Sequence, residues 1–443
     1  MLYENLVSVI FGAGIVGAGG AGFPTHKKLV KNIDTVIINA AECEPLLKVD
    51  KFILAENFEL LCDALNSLIG ILGASKAIFA VKKKNMTFGA DYINRYSKIE
   101  IKEIKDIYPA GDEVILTYEV TGKIIPEAQL PLSVGVMVLN VETLYNIAQA
   151  IFNNKPVTHK YVCVAGDVAA PVTFKVPVGT PVISLLEAAG GYDSEKHSVI
   201  SGGPLMGRLC DPEKEFVTKT TKGLIVLPRQ HSLIQKRLIK SNISLKRASA
   251  ACCQCRACTD MCPRYLMGYS LEVNKTLRTV VNEDVSNIAP YLQAQLCCGC
   301  GVCDYIACTQ DICPRNVCSE VKGNLIKNGI KYKNSKAPEK VRVEREMRLV
   351  PSSRILQRCG LEKYYRSVEM SSEALLPREI TLPLRQHVGK PASPVVALND
   401  KVDTGTIVAA VTEADIGSNI HSSIQGTVTG ISNDSITITA RSF

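Results

Sequence analysis

Residues 1 to about 155 alternate short apolar runs with stretches of helical period. Residues 35–39 (TVIIN) and 77–81 (AIFAV) are apolar and largely β-branched or aromatic, and read as buried strands, while residues 52–72 read as a helix. This alternation predicts a parallel sheet covered by helices. A second segment, residues 158–228, has strand-like runs at 161–165 and 224–227, a helix at 183–189 and many glycines, the pattern of a small α+β module. From Gln235 to about Lys340 the pattern turns helical, and a charged stretch, residues 336–348, then leads away. Residues 376–443 are rich in β-branched positions, with Asn399-Asp400 and Asn433-Asp434 as turn signals between strands.

The length of 443 residues suggests about three domains. With 46% apolar and 21% charged residues the chain can bury sizeable cores. No stretch reads as a transmembrane segment. Residues 7–23 are the most apolar early run, but six glycines break them, and they lack the basic start and cleavage site of a signal peptide. Residues 65–81 are interrupted by Asn66, Ser75 and Lys76. A cytoplasmic, reducing location is expected.

The 17 cysteines change the picture, because they are clustered rather than dispersed, which favours metal binding over disulfides. Cys252-x2-Cys255-x2-Cys258-x3-Cys262-Pro263 has the bacterial ferredoxin spacing for a [4Fe–4S] site. Three thiolates on one tight loop reach three irons of a cubane, and the fourth follows after the chain turns into a helix. A structural zinc site pairs two short knuckles instead. A second run, Cys297-x2-Cys300-x2-Cys303-x4-Cys308, has a last gap one residue longer and no following proline. Cys313-Pro314 offers another fourth ligand, but its nine-residue gap leaves the tight loop, so Cys308 is preferred. In two-cluster ferredoxins each fourth cysteine serves the other cluster. Cys262 is therefore expected with Cys297, Cys300 and Cys303, and Cys308 with Cys252, Cys255 and Cys258. Cys298 neighbours the first ligand of the second run and complicates its reading, while Cys43, Cys62, Cys163, Cys210, Cys253, Cys318 and Cys359 read as small buried or surface residues. The formal charge of +8 treats all thiols as neutral; two clusters at about −2 each lower it to about +4. Basic residues are also dispersed, so no nucleic-acid partner is expected.

Gly12-x-Gly14-x-x-Gly17 spells the dinucleotide fingerprint, but little chain precedes it to form a strand, and a lone match is weak. Glycine density still lets backbone N–H groups close around a phosphate or pass beside a flat ring. Three acidic loops follow apolar runs: Asn39-Ala-Ala-Glu42-Cys43-Glu44-Pro45, Tyr108-Pro-Ala-Gly111-Asp112-Glu113 and Asn140-Val-Glu142-Thr143. Ligand sites in α/β folds lie beyond the carboxyl ends of strands, so these loops and the glycine run predict one pocket.

Gly19-Gly20-Ala21-Gly22-Phe23-Pro24-Thr25 with those three loops resembles the flavin and NADH site of the NADH-binding subunit of respiratory complex I and of Rnf C proteins. Across nearly the whole chain the sequence resembles the cobalamin reductases of propanediol-utilisation microcompartments. Gln254-Cys255-Arg256 through Cys262-Pro263-Arg264-Tyr265-Leu266, the x4 gap and Leu376-Pro-Arg-Glu-Ile-x-Leu-Pro-Leu carry that likeness. The resemblance implies a multidomain α/β protein. Its parts would be a Rossmann-like FMN/NADH-binding domain (1–155), a β-grasp (SLBB) module (156–230), a bacterial-ferredoxin-like helical domain with two [4Fe–4S] clusters (235–345) and an all-β barrel-sandwich hybrid (371–443).

By the same resemblance Gly19, Gly20 and Gly22 run along FMN, Lys28 and Asn39 contact it, and Phe23 stacks on the nicotinamide nucleotide. Glu42 and Glu44 touch nucleotide and ring edges. Tyr108, Gly111, Asp112 and Glu113 complete the pocket, and Asn140 approaches the phosphate or ribityl chain. Ala41 and Cys43 stand where the complex I protein has aspartate and serine. The C-terminal module, with halves at 396–408 and 420–428, lacks a hairpin-tip lysine, so neither lipoylation nor biotinylation is expected. The implied activity is hydride transfer from NADH to flavin, then single electrons through the clusters to a corrinoid, with no catalytic acid or base named. The implied partners are NADH, a corrinoid or a corrinoid-adenosylating enzyme and, for an enzyme inside a microcompartment, a shell protein. The alternative is a non-enzymatic electron-transfer adaptor like an Rnf C protein.

Overall fold

The computed structural model describes residues 2–86, 88–333 and 337–441. Met1, Lys336 and Phe443, which bound segments expected above, lie outside the described residues.

Tyr3–Gly12 forms the first helix, α1. The next 140 residues build strands β1 (Thr35–Ala40), β2 (Lys76–Lys82), β3 (Ile99–Ile104), β4 (Ile107–Tyr108) and β5 (Val136–Asn140). All but β4 join a parallel sheet in the order β3-β2-β1-β5. Strand residues alternate between its faces. Val36, Ile38 and Ala40 pack with α1, α2 (Val49–Leu72) and α4 (Val141–Asn153). Ile37 and Ala41 pack against Leu116 and Val120 of α3 (Glu113–Thr121). Both faces are covered, which is why the central strands read as continuous apolar runs. Helix α2 starts three residues before the expected Phe52 and is broken at Asn57 (φ −130°). Gly12 to Gly17 follow a helix, not a strand, so the spelled dinucleotide fingerprint has no strand in front of it.

The second segment forms β6 (His159–Gly166), β7 (Val172–Pro177), α5 (Val182–Ala188), β8 (His197–Ser201), β9 (Arg208–Cys210) and β10 (Gly223–Pro228). The cysteine-rich region is helical, as the sequence pattern predicts. It holds α6 (Ser232–Leu238), α7 (Ser241–Ala251), the single turns α8 (Ala257–Asp260) and α9 (Pro263–Leu266), α10 (Val273–Val281), α11 (Ala289–Gln293) and α12 (Pro314–Lys327).

The charged stretch after it does not lead away. Arg345 is buried against Glu119 of α3, Lys105 reaches Glu346 at 2.5 Å, and β11 (Val350–Pro351) pairs antiparallel with β4. Charge pattern alone could not show that these side chains have partners across the chain. Further on, β12 (Glu369–Met370) extends the second sheet to the order β12-β7-β6-β10-β8-β9.

The C-terminal module stacks two sheets. One is β13-β19-β18-β15 and the other β14-β16-β17, built from β13 (Glu379–Pro383), β14 (Ser393–Pro394), β15 (Lys401–Val402), β16 (Ile407–Ala410), β17 (Ile420–His421), β18 (Gly426–Ile431) and β19 (Ser435–Ala440). Ile380, Leu382, Val408, Val428, Ile436 and Ile438 fill the space between them, and Val178 of the second module joins that core. Asn433-Asp434 lies in the β18–β19 turn as expected. A single core crosses the other modules: Leu6, Val36, Tyr161, Ile225, Val302 and Ile355 belong to one buried cluster. Among the described residues no helix is long and apolar enough to cross a membrane.

Glu142 on α4 and Lys160 on β6 form an ion pair with both side chains about 1% exposed. Glu142 also accepts from the Tyr161 amide at 3.0 Å. Glu142→Ala should destabilise the protein by about 3–5 kcal/mol, because it leaves Lys160 charged and unpaired in the core. Chemical denaturation of the single variants and of Glu142→Leu/Lys160→Met checks this; the double variant should recover much of the loss.

Candidate flavin and iron–sulfur sites

In the parallel sheet β1 has β2 on one side and β5 on the other, so chain order reverses there. Crevices for ligands open at the carboxyl ends of such strand pairs. Asn39 and Asn140 are register partners at those ends. The Asn39 side chain donates to the Gly111 carbonyl at 2.9 Å, tying the second acidic loop to β1. Gly111 itself packs tightly, since a Cβ there would stand 3.1 Å from Cys43 Sγ. The Asn140 Oδ1 caps α4 by accepting from the Glu142 amide at 3.0 Å, and its Nδ2 donates to Asp50 at 3.2 Å.

The glycine loop folds over this corner. A Cβ on Gly19 would lie 3.4 Å from Asn140 Cβ, whereas one on Gly20 would meet only open space. Gly19, Gly20 and Ala21 are exposed, and Phe23 is 36% exposed beside them. Lys28 pairs with Glu113 at 2.8 Å. An open glycine backbone beside the N-terminus of α4 has the donors a phosphate needs.

Behind it lies a charged network that sequence reading missed. Lys222, just before β10, reaches Asp50 at 2.5 Å. Glu42 Oε1 accepts from the Asp50 amide at 2.8 Å, and its buried Oε2 has no partner. Burial and the Asp50 charge push the Glu42 carboxyl up, against Lys222 and Lys48. An orphaned carboxyl oxygen at the crevice fits a site built for a polar ligand. Glu44 and Asp112 are instead engaged within the protein. Glu44 accepts from the Leu205 and Met206 amides at 2.8 and 3.1 Å, and burial pushes its carboxyl up. Asp112 caps α3 through the Val114 and Ile115 amides.

The cysteine runs fold into two loops of the same backbone. In the first, Gln254 and Arg256 are left-handed (φ 56° and 62°); in the second, Gly299 and Gly301 occupy the same positions (φ 73° and 76°). The longer last gap of the second run is taken up by a π turn over Cys303–Ala307, closed by the Cys308 amide on the Cys303 carbonyl at 3.0 Å.

The thiols fall into two groups. Burial pushes Cys258 up to about 12, and Cys308, Cys252 and Cys255 push the same way. Burial likewise raises Cys262, whose thiol neighbours are Cys297 and Cys298. Cys303 feels Cys297 and Cys262. Cys313 stands apart, with Asp304, Lys236, Asp311 and Arg247 as its charged neighbours. Cys258 is thus grouped with Cys252, Cys255 and Cys308, and Cys262 with Cys297, Cys298 and Cys303. Four thiolates on a cubane each take a different iron, so they need not converge on one ion; among the described residues no three His, Cys, Asp or Glu groups do. Two further cysteines, Cys298 and the expected bystander Cys318, join the second group. Cys298 lies beside Cys300. Cys318 hydrogen-bonds Cys297, which together with the Gly299 amide, Lys322 and Arg264 pulls Cys297 down to about 6 against its burial. Helical spacing on α12 was the only signal for Cys318.

The second group adjoins the β1/β5 corner. The Tyr108 hydroxyl stands 2.8 Å from the Cys300 carbonyl and 3.1 Å from Glu44. Arg264, two residues after Cys262, pairs with Asp112 at 2.7 Å. The first group is nearer solvent, with Cys255 exposed.

Family comparisons agree with this layout. Residues 10–149 match the Nuo51 FMN-binding domain, 161–209 the SLBB domain, 251–313 the 4Fe-4S dicluster domain and 362–442 the RnfC barrel sandwich hybrid domain. The chain is 38% identical to the cobalamin reductase PduS of Citrobacter freundii over 96% of its length and 94% of that protein. It belongs to the cobalamin reductase family. The enzyme of that name from Salmonella typhimurium is also 38% identical, over 96% of this chain and 94% of its own. The C component of the Na(+)-translocating ferredoxin:NAD(+) oxidoreductase complex of Acetobacterium woodii is 32% identical over 59% of this chain and 58% of its own. A family member with these modules is a flavin/iron–sulfur oxidoreductase.

The position of Cys308 can be tested against Cys313. Cys308→Ala should lower iron from about eight per chain towards about four after anaerobic reconstitution, while Cys313→Ala should leave it unchanged. Iron and sulfide analysis with electron paramagnetic resonance reads both; the reverse result moves the ligand to Cys313.

Proposed function

We propose that this chain takes electrons from NADH at a flavin in the β1/β5 crevice and delivers them through two [4Fe–4S] clusters to a corrinoid. The observation that carries the reading is the direct contact of the flavin corner with the second thiol group, through Tyr108 to Cys300 and Asp112 to Arg264. We assign Cys262, Cys297, Cys300 and Cys303 to the inner cluster and Cys252, Cys255, Cys258 and Cys308 to the outer one.

When bound, FMN and the clusters supply the change from a two-electron donor to one-electron carriers. The chain's own groups hold, orient and screen. The amides of Gly19, Gly20 and the α4 N-terminus would hold the flavin phosphate. Phe23 offers a ring face to the nucleotide, and Lys28, fixed by Glu113, a positive charge at the crevice. Glu42, kept towards its neutral form by burial, can donate a hydrogen bond there without adding charge. Arg264 sets a cation between crevice and inner cluster. The outer group, with Cys255 exposed, is where electrons reach an acceptor. A place inside a microcompartment, with a shell protein as neighbour, extends this reading by family likeness.

An adaptor role like that of Rnf C proteins is the second reading. Its likeness spans 59% of the chain, against 96% for the cobalamin reductases. The reductase reading is preferred on that ground.

Anaerobically reconstituted protein should oxidise NADH and reduce cob(III)alamin steadily, and only when FMN is present. Removing FMN should lower the rate by about two orders of magnitude or more, since no other hydride acceptor remains. NADH oxidation without flavin, or no cobalamin reduction by the flavin-loaded chain, would overturn the proposal.

A further inference from the structure

The C-terminal barrel-sandwich module takes no part in that electron path, yet it is docked on the glycine loop. The centre of the contact is Lys219, in the segment between β9 and β10. Its side chain is buried, about 2% exposed. Its three acceptors are neutral oxygens: the Gly14 carbonyl at 2.7 Å, the Asn419 carbonyl at 2.5 Å and the Ser418 hydroxyl at 3.4 Å. One ammonium thus joins the glycine loop, the second module and the C-terminal module. Burying an amine that pairs with no acid is costly, and burial alone pulls Lys219 down to about 7, so this lysine is a poor choice for simple packing.

The other contacts repeat the pattern. Gln386 Oε1 accepts from the Lys219 amide at 3.0 Å, the Val388 amide donates to the Gly22 carbonyl at 3.0 Å, and Lys27 Nζ donates to the Glu413 carbonyl at 2.6 Å. The fit is tight where the loop enters and leaves. Gly14 is left-handed (φ 67°), and a Cβ there would stand 2.5 Å from the Asn419 carbonyl oxygen; Gly22 (φ 66°) would meet Thr220 at 3.0 Å. Both ends of the loop are therefore held, while Gly19, Gly20 and Ala21 between them stay exposed.

We propose that the C-terminal module is a clamp on the flavin loop, with Lys219 as the positioning residue that pins Gly14, so that flavin affinity depends on a module outside the flavin domain. The clamp presents the open middle of the loop already in shape. It rests on the reading of Gly19, Gly20 and Gly22 as flavin contacts.

The test uses the full chain with Lys219→Met, which keeps the length of the side chain and removes its donors. Three quantities are read: FMN dissociation constant by fluorescence, hydrogen exchange of the 14–22 backbone without flavin, and iron content. The clamp predicts FMN binding weaker by about tenfold or more, since a loop must then be ordered on binding. It also predicts faster exchange across 14–22 and unchanged iron. A variant that loses only thermal stability, with FMN affinity and loop exchange as in the parent, overturns the clamp. If the parent itself fails to bind FMN, the flavin reading falls, and the exchange measurement alone decides whether the loop is held. Should Lys219→Met not fold, Gln386→Ala loosens the same contact from the C-terminal side and is read by the same outcomes.

Discussion

The docking of the α/β domain on the cysteine loops rests on the half-buried ion pair between Asp112 and Arg264. Asp112 ends the loop that Asn39 ties to β1 and caps α3, and Arg264 sits two residues past Cys262. The pair therefore locks the entrance of α3 against the loop of the inner thiol group. Tyr108 does the same for Cys300 from the other end of that loop. A buried ion pair adds little net stability against a well-packed apolar pair. One partner comes from the α/β domain and the other from the helical one, so the pair ties the two together at this point. A shift that lengthened the gap between crevice and thiols would also strand both charges.

The two cysteine loops show how strongly one ligand geometry shapes a backbone. Left-handed residues stand at the second and fourth positions after the leading cysteine in both. The second loop places glycines there, which adopt that conformation freely. The first uses Gln254 and Arg256, for which it costs about 1 kcal/mol or more each. Such conformations persist where the surroundings dictate them. The same shape, reached once with glycine and once without, points to a common load on both loops. The π turn over Cys303–Ala307 belongs to the same argument. It absorbs one extra residue and still returns Cys308 to the group of the first run.

Local chemistry was the readable part of this sequence. Buried strands such as β1 and β2 announce themselves as apolar runs because both faces of the sheet are covered. The cysteine spacing carries the cluster geometry because three ligands share one short loop. Contacts across the chain left no such trace. Lys219 and Lys222 carry no sequence signal, yet one is bound to three neutral oxygens and the other to Asp50. The stretch after the clusters reads as a departing charged linker, but Arg345 and Val350 are buried on the first domain. Cys318 reads as a core cysteine because its partner, Cys297, is on another element.

The two thiol groups meet their charge by different means. A [4Fe–4S] cluster with four thiolates is anionic, and reduction adds a further negative charge. The inner group is the more buried, with Cys262 and Cys300 buried and Cys297 and Cys303 half-buried, and fixed cations stand beside it. Arg264 and Lys322 bear on Cys297, and Arg315 bears on Cys303. The outer group has Cys255 in water and Cys252, Cys258 and Cys308 half-buried. Its charge is met by solvent and mobile ions instead. Hydrogen bonds and exposure set cluster potentials, so two clusters on the same loop geometry are held in unlike surroundings. That difference lies in the packing around the loops rather than in the cysteine spacing.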